Sequence, residues 1–130
     1  MLDTNAFSQA ARGTLSAFKA RFESVDLDVV AVSVITEAEL LFGLIRRPLA
    51  HQLAASVHTL LSKITIFPWT SESAGIYATL RFTLERKGLP MSAMDMMIAA
   101  HALAEDAILV TNDKAFHRIE RLRIEDWTAL

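Results

Sequence analysis

Residues 28–40 read DVVAVSVITEAEL. The run VVAVS is short, β-branched and apolar without interruption. A strand buried on both faces reads this way, because neither face can carry polar residues. From residue 36 the pattern changes to TEAELLFGLIRR, which is helical and stops before Pro48, since the residue ahead of a proline disfavours the α conformation. Similar units recur along the chain. TLSAFKARFES (14–24) places Leu15, Phe18 and Phe22 at helical spacing, and Leu49, Leu53, Val57, Leu60 and Ile64 mark another helix. ITIF (64–67) reads as a strand, and the helix SESAGIYATLRFTLERKG (71–88) opens on capping serines and ends at Gly88, a residue that terminates helices. SAMDMMIAAHALAED (92–106) is helical, AILVT (107–111) is a buried strand, KAFHRI (114–119) a short helix and LRI (122–124) a last short strand. Helices alternating with short buried strands predict an α/β domain with a parallel sheet covered on both faces.

The bulk properties narrow the class. A length of 130 residues suits one domain, 1–130, since domains cluster at about 100–150 residues. Hydrophobic residues make up 52%, enough for a real core and against disorder. The absence of cysteine excludes a disulfide scaffold, a thiolate zinc site and a cysteine nucleophile. No basic-then-apolar leader opens the chain, and no apolar stretch reaches the roughly 18 residues of a membrane span. A cytoplasmic setting, away from the membrane, is expected. The net charge of −2 argues against a protein that coats nucleic acid, but not against an enzyme that touches a few phosphates.

In open α/β sheets ligands bind beyond the carboxyl ends of the strands. Four acids fall there. Asp3 follows the first strand, Glu39 and Asp95 lie in the first turns of helices, and Asp113 follows AILVT. Each has a bland explanation. Asp3 suits an Asx turn, Thr36 with Glu39 has capping-box spacing, as does Ser92 with Asp95, and Asn112–Asp113 suits an N-cap. Together they say more. Carboxylates gathered at one sheet end repel one another, and a divalent cation removes that cost. Oxygen-only ligands suit Mg²⁺ or Mn²⁺ and point to hydrolysis or phosphoryl chemistry.

LDTN, SVITEAEL, MDMMIAAHA and VTND, in that order and with helices between them, resemble the PIN domain and, within it, the VapC toxins of bacterial toxin–antitoxin pairs. The resemblance runs from Met1 to the closing LRIEDW. It implies a three-layer α/β/α fold with a central parallel sheet. It implies an endoribonuclease that depends on Mg²⁺, with Mn²⁺ able to substitute, and that cuts structured RNA such as a tRNA anticodon loop. It implies a homodimer and a VapB-like antitoxin whose tail crosses the acidic pocket and through which alone operator DNA is bound. LPMSAMDMMIAAHA and LRIEDW look most like the branch that cuts initiator tRNA. The catalytic and metal-binding acids of the family fall on Asp3, Glu39, Asp95 and Asp113. Relatives usually place several apolar residues ahead of the first aspartate, where here only Met1 and Leu2 stand; either the first strand is short or the true start lies upstream.

Within that resemblance Asp3 and Asp95 hold the metal, Asp113 completes the site and Glu39 serves the attacking water. Thr4, Asn5 and Thr111 flank the acids and are expected to fix carboxylate rotamers. Arg12 and Lys114 are the basic residues nearest the acids and the candidates for RNA contact, with Arg46, Arg47, Arg86, Lys87 and Arg118 further off. Glu37 reads as a solvated or capping residue. His51, His58, His101 and His117 form no H-E-x-x-H pattern, which argues against zinc. Met91, Met94, Met96 and Met97 read as adaptable packing. A phosphatase of the haloacid dehalogenase kind would need a second acid where Asn5 stands. A housekeeping RNA-processing nuclease of the same fold and a non-catalytic partner-binding module are the alternatives, the second disfavoured because all four acids are present.

Overall fold

A computed structural model describes residues 1–129. Two parallel ladders form its sheet. Strand β1 (Ala31–Ser33) pairs with β2 (Thr65–Phe67), Val32 opposite Ile66. Strand β3 (Leu109–Val110) pairs with β4 (Ile124–Glu125). The N-terminal residues join them. Leu2 N–H donates to Ala31 O at 2.9 Å, Asp3 N–H to Val110 O at 3.1 Å, and Val110 N–H to Met1 O at 2.8 Å. Leu2 also bridges Val110 in parallel. Leu2 and its neighbours thus run through the middle of the sheet, between β1 and β3.

Because successive strand residues face opposite sides, each strand feeds two cores. Leu2, Val32 and Val110 pack with Phe7, Phe18, Leu40, Val57 and Leu60. These come from helices α1 (Thr4–Arg12), α2 (Ser16–Glu23), α3 (Val34–Ile45) and α4 (His51–Leu61). Met1 and Leu109 pack on the other side with Leu84, Met96, Ile98 and Phe116, where α5 (Ser71–Arg86) and α6 (Ala93–Ala104) lie. This is the three-layer α/β/α arrangement expected, with strands apolar throughout because both faces are covered.

Three local features differ from the sequence reading. Helix α1, unforeseen, follows Asp3 directly and ends at Gly13, whose φ of 62° is the left-handed conformation that glycine adopts freely. Helix α3 starts at Val34, capped by Ser33, whose Oγ accepts from Ile35 N–H at 3.0 Å. Thr36 thus lies inside the helix, fully buried, and the capping box expected for Thr36 and Glu39 does not form. Residues Lys114–Arg118 make a 3-10 turn instead of an α-helix. Gly88 does end α5 as predicted, at φ 67°, with Leu89 N–H reaching back to Leu84 O at 3.0 Å. Among the described residues no helix is long and apolar enough to cross a membrane.

Candidate active site

Asp3 leaves the central strand and caps α1, its Oδ1 accepting from Ala6 N–H at 2.8 Å. Asp113 follows β3 and caps the 3-10 turn, its Oδ1 accepting from Ala115 N–H at 2.9 Å. In α6 the cap is Ser92, whose Oγ accepts from the backbone N–H of Asp95 at 3.1 Å. Capping is thus real at all three places. It occupies one oxygen of Asp3 and of Asp113, and at Asp95 it uses the backbone amide.

Thr111 couples two of these acids. Its hydroxyl is near enough to the Asp3 carboxylate to pull its pKa down, and its Oγ1 accepts from Asp113 N–H at 3.0 Å. Asp3 is only 5% exposed. Burial raises its pKa above the ordinary carboxylate range, and the charges of Asp95 and Asp113 push the same way; the Thr111 hydroxyl and the bond from the Ala6 N–H oppose this without cancelling it. Asp95 is half-buried and its pKa is raised too, by burial first and by Asp113 second, against a bond to Ser92. The three aspartates therefore share one electrostatic environment. Among the described residues, the ion pairs involve none of Asp3, Glu39, Asp95 or Asp113.

Glu39 has a partner of its own: Thr4 Oγ1 donates to its Oε1 at 2.6 Å. Both residues line a cavity of about 620 Å³ between α1, α3 and α4, together with Asn5, Arg12, Thr111 and Asn112. Asn5 is exposed there, and among the described residues it bonds to none of the four acids. Arg12, Arg46 and Arg47 line the same cavity. Lys114 is exposed beside Asp113 and stands outside the cavity.

The donor set fits a hard divalent cation. It is all oxygen, partly buried, and lacks the lysine or arginine that usually accompanies buried carboxylates. Among the described residues, no three His, Asp or Glu side chains already surround one point as ligands. Mg²⁺ does not require such a cage, since it is commonly bound by one or two carboxylates plus waters. The placement of Asp3, Asp95 and Asp113 at the carboxyl ends of parallel strands and the amino end of a helix is where an α/β sheet binds ligands.

Histidines contribute nothing to this donor set. His51, His58 and His117 are exposed, whereas His101 is fully buried and bonded to Ser33 and Pro68. That buried pair was not visible in the sequence; the only signal was a lone histidine in an alanine-rich helix.

Residues 1–122 match the PIN domain. The chain is 35% identical over 129 residues to ribonuclease VapC2 of Rickettsia felis, covering 98% of this chain and 96% of that protein. It is 30% identical to the tRNA(fMet)-specific endonuclease VapC of Shigella flexneri, over 98% of this chain and 97% of that one. Among solved structures, VapBC2 of Rickettsia felis bound to a DNA fragment from its promoter superposes with a TM-score of 0.88 at 33% identity, covering 96% of each chain. FitAcB of Neisseria gonorrhoeae superposes at 0.80 with 28% identity, covering 99% of this chain and 98% of that one. The chain belongs to the PIN-domain family, in the group of the VapC ribonucleases.

Proposed function

We propose that this chain is a Mg²⁺-dependent endoribonuclease, served also by Mn²⁺, that acts in the cytoplasm as the toxin of a toxin–antitoxin pair. Its substrate is structured RNA, a tRNA anticodon loop above all. It works as a homodimer, with a VapB-like antitoxin that covers the acidic site and carries the complex to operator DNA. The tRNA(fMet)-specific relative supports the substrate, and the VapBC complexes among the structural neighbours support the partner.

The observation that carries the chemistry is a set of three aspartates at the sheet's ligand-binding end that, among the described residues, form no ion pair with lysine or arginine. Asp3, Asp95 and Asp113 would hold the cation, with Glu39 on the cavity side. When bound, such an ion offsets phosphate charge and makes a water easier to deprotonate. The chain's own groups then divide the remaining work. Thr4 occupies Oε1 of Glu39 and leaves Oε2 to take a proton from the attacking water. The water oxygen bonds to phosphorus, the bond from phosphorus to the 3′ oxygen breaks, and that oxygen leaves with a proton. The products are a 5′-phosphate and a 3′-hydroxyl, with no part for the 2′-hydroxyl. Arg12, on the cavity wall with Glu39, is placed to meet a backbone phosphate, and Lys114 extends the positive charge beyond Asp113.

Expression in bacteria tests the biological role. The wild-type chain should arrest growth, a cognate antitoxin should restore it, and Asp95→Asn should not arrest it. Normal growth under abundant, soluble, RNA-cutting protein would instead favour a housekeeping RNA-processing enzyme.

A further inference from the structure

His101 is fully buried in α6 and uses both ring nitrogens. Nε2 lies 3.1 Å from Pro68 O. A carbonyl only accepts, so Nε2 carries the hydrogen. In the neutral ring Nδ1 is then an acceptor, and Ser33 Oγ, 2.7 Å away, donates to it. Ser33 Oγ in turn accepts from Ile35 N–H at 3.0 Å as the cap of α3. One imidazole therefore joins the last turn of α6 to the end of β1, the first turn of α3 and the segment after β2. Trp69 packs edge-on at 5.4 Å between ring centroids, and Phe67 stands at 6.1 Å. Burial lowers the pKa of the ring, outweighing the Pro68 bond and the charge of Glu105 one turn further along α6, so the neutral form prevails at neutral pH.

We propose that His101 is a positioning residue for the cleavage site, setting the offset between the helix that carries Asp95 and the helix that carries Glu39. The spacing is symmetrical: Asp95 lies six residues before His101, and Glu39 six residues after Ser33. Six helical residues span about 9 Å, and the helix transmits displacement over that length as a near-rigid body. Around His101 the helix packs through Ala99, Ala100 and Ala102 and through the larger Met96 and Ile98, all buried. Apolar contacts hold the helix against its neighbours, but dispersion has little directionality. The bonds to Ser33 and Pro68 supply direction and length. Losing them would leave α6 docked but free to shift, and a shift of an ångström in a catalytic group costs about 100-fold in rate.

The proposal rests on the cleavage function given above. His101→Phe keeps the ring and removes both bonds, while His101→Asn keeps an acceptor near the place of Nδ1 for Ser33. Two readouts are needed: kcat and KM on a fluorescent RNA hairpin with Mg²⁺, and the rise in Tm that Mg²⁺ alone produces. For His101→Phe we expect kcat to fall about 10- to 100-fold, KM to hold, and the Mg²⁺-induced rise in Tm to shrink. His101→Asn should recover part of kcat. A purely structural histidine would lower Tm in both variants yet leave kcat per folded molecule and the Mg²⁺ response at wild-type values, which overturns the proposal. If His101→Phe does not fold, Ser33→Ala carries the same comparison, and wild-type kcat there overturns it equally. A wild-type protein that cuts no RNA overturns the cleavage function and this proposal together; a cutting wild type with an equally fast His101→Phe overturns this proposal alone.

Discussion

Replacing Thr4 with valine removes one hydroxyl and preserves shape and β-branching. The hydroxyl donates to Glu39 Oε1 at 2.6 Å, a short bond to an ionised acceptor, of a kind that contributes about 1.5–3 kcal/mol. The net effect on stability lies at the low end. Glu39 is only partly buried and borders the cavity, so the carboxylate released from Thr4 recovers water. Thr4 does not cap α1, because Asp3 does. A loss of about 1 kcal/mol is expected, or about 4 °C in Tm for a domain of this size. Activity should suffer more. Without the hydroxyl the Glu39 rotamer is unconstrained, and loss of such a support costs about 10- to 100-fold. Mg²⁺-dependent cleavage of an RNA hairpin, followed alongside thermal melting for wild type, Thr4→Val and Thr4→Ser, separates the two effects. Thr4→Ser keeps the hydroxyl and should cut at close to the wild-type rate. If Thr4→Val cuts as fast as wild type while showing the expected drop in Tm, the bond is structural only and Glu39 takes no proton from the attacking water.

Asp3 and Asp95 have raised pKa values, by burial first and by neighbouring acids second, so they ionise later in the folded chain than in the unfolded one. Their destabilisation is absent below the ordinary carboxylate range, grows as pH rises towards the folded values and is complete above them. In EDTA, Asp95→Asn should therefore raise Tm at neutral pH and flatten its dependence on pH, and the cap survives because Ser92 bonds the backbone N–H of residue 95; a lower Tm in EDTA would contradict the shared electrostatic site. Mg²⁺, binding only the folded form, should stabilise wild type more than Asp95→Asn, and an equal response in a titration followed by Tm would contradict the assignment of Asp95 as a ligand. Gly88→Ala forces a side chain into the left-handed region at φ 67° and should cost about 1–2 kcal/mol, read as a lower denaturation midpoint.

Much of this was legible in the sequence for a simple reason. Strands covered on both faces are continuous apolar runs, so VVAVS and AILVT announce themselves; AILVT leads directly to Asp113, and VVAVS to the helix that carries Glu39. Helix α1 was not legible, because its fully buried apolar residues are only Ala6 and Phe7 and because Asp3, its cap, suits an isolated Asx turn equally well. The start of α3 was displaced for a related reason. Ser33 and Thr36 both qualify as caps by composition, and only the end of β1 at Ser33 decides between them. The Thr4–Glu39 bond was invisible as well: linear spacing locates four acids at one end of the sheet but does not show that Thr4, at the start of α1, bonds Glu39 of α3. The His101–Ser33 bond joins residues 68 positions apart, and nothing local to either forecasts the other.

The central claim is that the acids at the end of the sheet hydrolyse a phosphodiester with a divalent cation. Mapping both ends of the fragments that the purified protein makes from a tRNA pool, with Mg²⁺ and with EDTA, tests it most directly. Cleavage should require Mg²⁺, disappear in folded Asp95→Asn, and leave 5′-phosphate and 3′-hydroxyl ends. Fragments that persist in EDTA, or that carry 2′,3′-cyclic phosphates, would show that the RNA's own 2′-hydroxyl is the nucleophile and that Asp3, Asp95, Asp113 and Glu39 do not perform the chemistry.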